Sequence, residues 1–430
     1  MKSRIVLACV AVSAASACGA SPTSGSAPTA TADKPASITV WLQPEAQDTW
    51  PEALKAANDT FTAKTGVQVK VETQQWGDHL TKLDTALAGD SPPDVVELGN
   101  TEMARYMAAG AFADLTGDKS RFENSATWVR SLTDSATFEG RLYGVPYYGG
   151  SRAVIYNKEL FEKAGVTETP QTIDELIAAG EKLMAANRGN PNFSAFYLPG
   201  RYSWAGPGSF VEGFGGKVAV QEGGKWRGTL SSPQAVAGLT KFKELAGKLS
   251  RADKRGDDSK QDQTFAQGNA AMLLGLGREV SRILDPAQGG NPELKGKIGA
   301  FPLPGPAAGT PMPAFIGGSD LAVPAKSKHR DLALQWVAAF TGTSAQTAIA
   351  GKSLVPNTTT LIGEVPEEAR PFAEAAKASW FVPVTDNWGL VEKKGTLTNM
   401  IVDILTGKAD VASAAGKADE ELTATLNAAS

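Results

Sequence analysis

Cysteine and histidine are almost missing from this chain. Among its 430 residues the thiols are Cys9 and Cys18, and the imidazoles are His79 and His329. Both cysteines precede residue 19, so the rest of the chain cannot be stapled by disulfides and must rely on a hydrophobic core. No grouping of histidine and cysteine has the spacing of a zinc site. Each histidine stands beside polar helical sequence and reads as solvated or half-buried. The nucleophile elbow G-x-S-x-G is absent, as are the loops G-x-x-x-x-G-K-S/T and G-x-G-x-x-G. Gly215-Gly216-Lys217 lacks the spacing of either phosphate-binding loop. Acids between Asp253 and Asp262 are interspersed with Lys254, Arg255 and Lys260, which suits a solvated charged turn better than a calcium loop. Among 46 acidic residues no pair is marked out for glycoside hydrolysis. These absences favour a binder without metal or cofactor over an enzyme.

Long apolar runs are also scarce. The one run near the N-terminus, Ile5 to Ala17, is thirteen residues long, short of the ~20 needed to cross a bilayer. Lys2 and Arg4 precede it and Ala15-Ser16-Ala17 closes it, which is the layout of a signal peptide over residues 1–17. Cys18-Gly19 follows at once. Small residues followed by Cys-Gly resemble the lipobox of bacterial lipoproteins, and the resemblance implies lipidation of Cys18, although Ala15 stands where that pattern prefers leucine. Ser21 to Pro35 holds almost no large apolar side chain, so residues 18–36 read as a flexible tether. Loss of residues 1–17 would remove Lys2 and Arg4 and no acid, turning a net charge of −4 into −6. A mildly acidic surface argues against nucleic acid and against an anionic membrane surface as partners.

What is present is a regular alternation of strand and helix. Ile38 to Leu42 forms an apolar β-branched run. Pro51 opens a helical pattern with Leu54, Ala57 and Phe61 on one face, and Gly66 stops it. Val67, Val69 and Val71 alternate with polar residues as in a strand. Leu80, Leu83 and Leu87 share a helical face that ends at Gly89, and Val95-Val96-Glu97-Leu98 is the next apolar run. Such an order calls for parallel pairing through right-handed crossovers. Val154-Ile155-Tyr156 is expected as a strand with Asn157 capping the helix after it. Thr172 to Glu175 has the form of a capping box, and Leu321-Ala322-Val323 leads to a helix carrying Trp336 and Phe340. The fold class is α/β. With 42% hydrophobic residues over this length, two or three structural units are affordable.

Ligands of open parallel sheets sit beyond the carboxyl ends of the strands. Here those exits are Gln43-Pro44-Glu45, Gln74-Gln75-Trp76 and Gly99-Asn100-Thr101-Glu102.

Taken together, Pro93 to Asn100, Gly110 to Thr116, Tyr143 to Tyr148 leading to Tyr156–Gly165, Phe265 to Met272, Pro302 to Gly305 before Gly317-Gly318-Ser319, and Asn387-Trp388-Gly389 resemble the extracellular solute-binding proteins of carbohydrate ABC importers. Maltose-binding proteins belong to that family. The resemblance spans about Thr39 to Leu426. It implies two α/β lobes around a ligand cleft, joined by a hinge the chain crosses several times. Mapped here, one lobe takes residues 37–147 and 314–342 and the other 152–311 and 345–430. The expected function is capture of a mono- or short oligosaccharide for the permease. The chain would be a monomer held at the outer face of the cytoplasmic membrane through Cys18. A polyamine or glycerophosphodiester receptor, or a secreted glycoside hydrolase, is the alternative.

A neutral sugar needs flat aromatic platforms and paired polar groups. The resemblance places Trp76, Tyr148, Trp204 and Trp388 at the cleft, while Trp41, Trp50 and Trp336 suit packing. The polar candidates are Gln43, Glu45, Asn100, Glu102, Arg152, Arg278, Glu279, Ser319 and Asp320. Arg278 and Glu279 could equally form an ion pair between the lobes, and Arg278 stands where the family often has tryptophan.

Overall fold

The computed structural model describes residues 34–202 and 204–428. The signal peptide, Cys18 and the tether up to residue 33 lie outside the described residues. From Ala36 onward the chain is one compact unit.

The first strand, β1 (Ser37–Leu42), buries Ile38, Val40 and Leu42 completely and leaves the residues between them half-covered or exposed. Helix Pro51–Thr65 follows, with proline in its first turn, where a missing N–H costs nothing. It turns Leu54, Ala57 and Phe61 inward and ends on Gly66 at φ +67°, in the left-handed region. The chain returns as β2 (Gln68–Thr73), parallel to β1 and at the sheet edge, and then as β3 (Val95–Gly99), parallel to β1 on its other side. Because β3 is interior, Val95, Val96 and Leu98 are buried without alternation.

Two longer strands come from sequence with poor strand propensity. They are β4 (Gly144–Ser151), which contains Gly149 and Gly150, and β9 (Ala314–Ala322), which contains Gly317 and Gly318. They pair antiparallel along most of their length. Between them in the chain lie β5 (Ala153–Asn157), β6 (Ser194–Phe196), β7 (Ala270–Gly275) and β8 (Ile298–Phe301). Two short strands, β10 (Val355–Pro356) and β11 (Ser379–Trp380), pair with β4 and β9 respectively.

The first sheet has the order β10-β4-β9-β3-β1-β2, with β11 extending from β9. The second has the order β8-β5-β7-β6. Arg152 alone separates β4 of the first sheet from β5 of the second, so the chain passes between sheets within one residue. Asn157 caps the next helix, its Oδ1 accepting the Leu160 N–H at 3.1 Å. Thr172 caps helix Ile173–Ala186 through the Glu175 N–H, while the Glu175 carboxylate reaches back one residue further, to the Gln171 N–H.

Two core clusters centre on different sheets, and a third joins Ala153, Ile155 and Leu273 of the second sheet to Ile316 and Val355 of the first. Trp50, Phe61, Tyr147, Leu321, Trp336 and Phe340 pack on the first, where Trp336 also donates to Asn58 at 2.7 Å. Val154, Phe196, Phe242, Met272, Ile401 and Leu422 belong to the cluster on the second. Helix Thr343–Ala350 inserts Ala345 and Ile349 into the first-sheet cluster, although the expected boundary puts residue 345 with the second lobe. Among the described residues no helix is long and apolar enough to cross a membrane.

Candidate ligand cleft

A cleft of about 1270 Å³ opens where residues from both sheets face one another. Its upper edge comes from the exits of β1 and β2. Glu45 begins the short helix after β1, and its carboxylate accepts the Trp76 indole N–H at 2.9 and 3.2 Å. That bond holds a ring that is 39% exposed, the largest aromatic surface left open among the described residues. Behind it, His79 Nδ1 meets the Trp76 carbonyl at 2.9 Å and Nε2 meets Glu102 Oε2 at 2.9 Å. Both ring nitrogens are thus engaged, which fixes the imidazole behind the Trp76 ring. His79 is buried, which corrects the expectation of a solvated or half-buried ring.

The floor is made by β4 and β9. Tyr148 and Gly150 come from one, Phe315, Gly317 and Ser319 from the other. Trp50 donates to the Tyr147 hydroxyl at 2.6 Å and sets its ring edge against Tyr148, 5.0 Å between centroids. Beneath the floor lies Glu97, whose Oε2 accepts the Gln43 N–H at 2.9 Å. Burial pushes its carboxyl up to about 7, against the pull of the Gln43 N–H and the hydroxyls of Ser319 and Tyr148. Burial and the neighbouring Glu97 raise the Tyr148 phenol far above its ordinary range. The facing wall carries Arg152, Tyr156, Leu276, Arg278 and Phe372.

Six of the residues expected to touch ligand therefore line the cleft: Glu45, Trp76, Tyr148, Arg152, Arg278 and Ser319. The other seven serve the scaffold. Gln43 is buried and held through its backbone by Glu97. Asn100 donates to the Ile316 carbonyl at 2.9 Å and ties β3 to β9. Glu102 accepts the Gly99 N–H and meets His79 Nε2 at 2.9 Å. Glu279 turns back to accept the Leu276 N–H at 2.6 Å, so it closes the first turn of helix Gly277–Leu284. Asp320 is fully buried and accepts from the Ser135 hydroxyl at 2.8 Å. Trp388 is 2% exposed, and Trp204 packs between it and Phe315 at 5.6 and 4.8 Å. The common cause is that a polar group at a strand end must first satisfy nearby backbone groups, and an indole gains most by burial.

Sequence reasoning missed Tyr156, Phe315 and Phe372 on the cleft wall, because apolar residues in strands and helices carry no mark of which cavity they face. Glu97 did leave a mark, as an acid inside the otherwise apolar Val95–Leu98 run.

Residues 43–347 match the family of bacterial extracellular solute-binding proteins. The chain is 33% identical over 382 residues to the diacetylchitobiose-binding protein DasA of Streptomyces coelicolor, covering 86% of this chain and 85% of that one. Its fold is similar to that of the sugar-binding protein MalE from Xanthomonas citri, with a TM-score of 0.77 and 20% identity across 91% of this chain and 97% of the other. It is also similar to a cyclo/maltodextrin-binding protein complexed with maltotetraose, with a TM-score of 0.76 and 22% identity across 93% and 100% of the two chains. At such identities the two structures speak for fold alone, and that fold is the expected two-lobed one. The family match covers well over half of the sequence, and the chain belongs to the bacterial extracellular solute-binding proteins.

Proposed function

We propose that the chain captures a mono- or short oligosaccharide outside the cytoplasmic membrane and delivers it to an ABC permease. The observation that carries this is the open cleft edged by Trp76, whose ring is exposed yet fixed by Glu45. A rigid, uncovered indole suits the C–H face of a pyranose, and Glu45 and Arg152 on the same cleft suit hydroxyls. Glu45, Trp76, Tyr148, Arg152, Arg278 and Ser319 are the proposed contacts. Relatives named for diacetylchitobiose, arabinooligosaccharide and maltodextrin support a sugar over other solutes.

The lobes divide at residues 147–152 and 311–314, where β4 runs into β5 and the chain re-enters the first sheet through β9. Closure of one lobe on the other makes ligand binding legible to the permease, provided the closed form binds more tightly. Cys18 anchors the chain, as a monomer, within reach of that permease.

Thermal denaturation with a panel of diacetylchitobiose, maltodextrins, arabinooligosaccharides, monosaccharides and glycerophosphocholine tests the reading. A recognised sugar at 100 times its dissociation constant stabilises the fold by ~2.7 kcal/mol. A response to glycerophosphocholine alone replaces the sugar with a phosphodiester, and silence across the panel removes both. Cleavage of a bound oligosaccharide would turn the binder into a hydrolase. Within the same assay Trp76→Ala is expected to weaken binding about tenfold and to leave the unliganded melting temperature nearly unchanged, since its ring is exposed. A large drop in that temperature would make Trp76 a packing residue.

A further inference from the structure

We propose that Gly150 and Gly317 form a bare backbone platform on the cleft floor against which the bound solute lies, and that the two missing side chains set how bulky the solute can be. This rests on solute capture in this cleft.

Across the β4–β9 pair, Gly317 stands opposite Gly150 and Gly318 opposite Gly149. Opposite residues of an antiparallel pair face the same side of the sheet, and sides alternate along each strand. Tyr148 and Gly150, continued by Arg152, therefore share a face with Phe315, Gly317 and Ser319, and all six line the cleft. Gly318 also borders the cleft, through its backbone alone, and Gly149 does not.

The two pairs of glycines exist for different reasons. A methyl group at Gly318 would collide with the Tyr148 carbonyl oxygen, and one at Gly149 would stand 2.6 Å from Ile316 Cγ2. Packing forbids a side chain at both. At Gly317 the nearest atom to a methyl group would be Phe315 Cε1 at 3.9 Å, and at Gly150 it would be Leu276 Cδ2 at 3.6 Å. Those are ordinary contacts, and both neighbours are themselves cleft-lining side chains. Neither glycine has positive φ. Nothing in the fold requires glycine there, although glycine inside a strand is destabilising relative to alanine. The space is kept for something that enters the cleft.

What enters is a flat-faced group. Adjacent strands leave a bare strip roughly 5 Å across, and its ends are defined. Ser319 and Tyr148 bound it at one end, and Arg152 and Phe315 offer a cation and a ring at the other. A pyranose seated on the strip would press one C–H face on the peptide planes, leave the other for Trp76 and direct its hydroxyls to Arg152.

The test uses the full chain and calorimetric titration with diacetylchitobiose, maltotetraose and the sugars that respond in the thermal panel. Gly150→Ala and Gly317→Ala are expected to fold, with melting temperatures within about 3 °C of the parent. Gly150→Val and Gly317→Val are expected to raise the dissociation constant roughly 10- to 200-fold, whereas Gly318→Ala lowers the melting temperature outright. Undiminished affinity in both valine variants overturns the platform and leaves sugar capture intact. Failure of both alanine variants to fold also overturns it, since packing would then be what demands glycine. If the parent binds no sugar, capture itself fails and the platform has no sugar to seat.

Discussion

Asp320→Asn is expected to stabilise the folded chain progressively as pH rises from about 4 to about 8, by as much as roughly 5 kcal/mol across that window. Asp320 sits on β9 with no exposure to solvent. Its Oδ2 accepts from the Ser135 hydroxyl, and its Oδ1 has no hydrogen-bond partner among the described residues. Burial pushes the carboxyl up to about 8, and the Ser135 bond offsets only part of that. A folded-state pKa above the unfolded value means that the native chain holds a proton the unfolded chain has already released. Stability from this group is therefore complete below about pH 4, declines between there and about pH 8, and stays low above. Asparagine cannot ionise and removes the decline.

The comparison must be variant against parent, because other groups titrate in the same window. Glu97, pushed up to about 7, and Asp262, pushed up to about 6, act in the same direction. Asp114 and Asp331, held low by Thr116 and by Arg121 respectively, act in the opposite one. Urea midpoints of both chains at matched pH values, read by fluorescence and circular dichroism together, supply the measurement. Parallel curves for the two chains would show that Asp320 is ionised in the native state without penalty. A midpoint difference that widens with pH would show the reverse. The outcome also bears on the cleft, because Asp320 follows the cleft-lining Ser319 at the register shift in the β4–β9 pair.

How much of this could be read from the sequence depended on whether local pattern or tertiary pairing decided each element. The opening β1–helix–β2–helix–β3 succession was legible because its apolar periodicities, its proline start and its Gly66 stop all point the same way. β4 and β9 were not legible as strands of their full length. Pro146 and five glycines oppose strand formation locally, and only their mutual pairing makes them strands. The site shows the same division. The rule that ligands collect beyond strand exits pointed to Glu45 and Trp76, which line the cleft. Gln43, Asn100 and Glu102 stand at the same exits but are engaged in holding backbone and His79. Residue type alone could not separate Trp76, left open and tethered, from Trp388, enclosed. Both are tryptophans after a polar stretch, and only the surrounding helices decide which is covered.

That distinction sets the second large effect. Trp388→Ala is expected to cost about 3–5 kcal/mol of stability, the usual range for emptying a large aromatic site in a core. Trp388 opens helix Trp388–Lys394 and is buried to 2% exposure in the second-sheet cluster. Its ring meets Trp204 edge-on at 5.6 Å, Trp204 meets Phe315 at 4.8 Å, and Phe315 reaches the cleft. Loss of the indole therefore opens a cavity two rings behind the ligand wall. The neighbours can collapse only partly, since Trp204 is also wedged against Trp380. A fall in urea midpoint at constant slope would carry that cost. An unchanged midpoint with weaker sugar binding would instead place the indole in contact with ligand. Trp388→Phe separates the two roles further: it retains a ring in the cluster, so it should recover much of the stability and leave affinity close to that of the parent. If affinity stays lost with stability restored, Trp388 acts on the ligand through Trp204 and Phe315, and the second-sheet core is then part of what shapes the cleft.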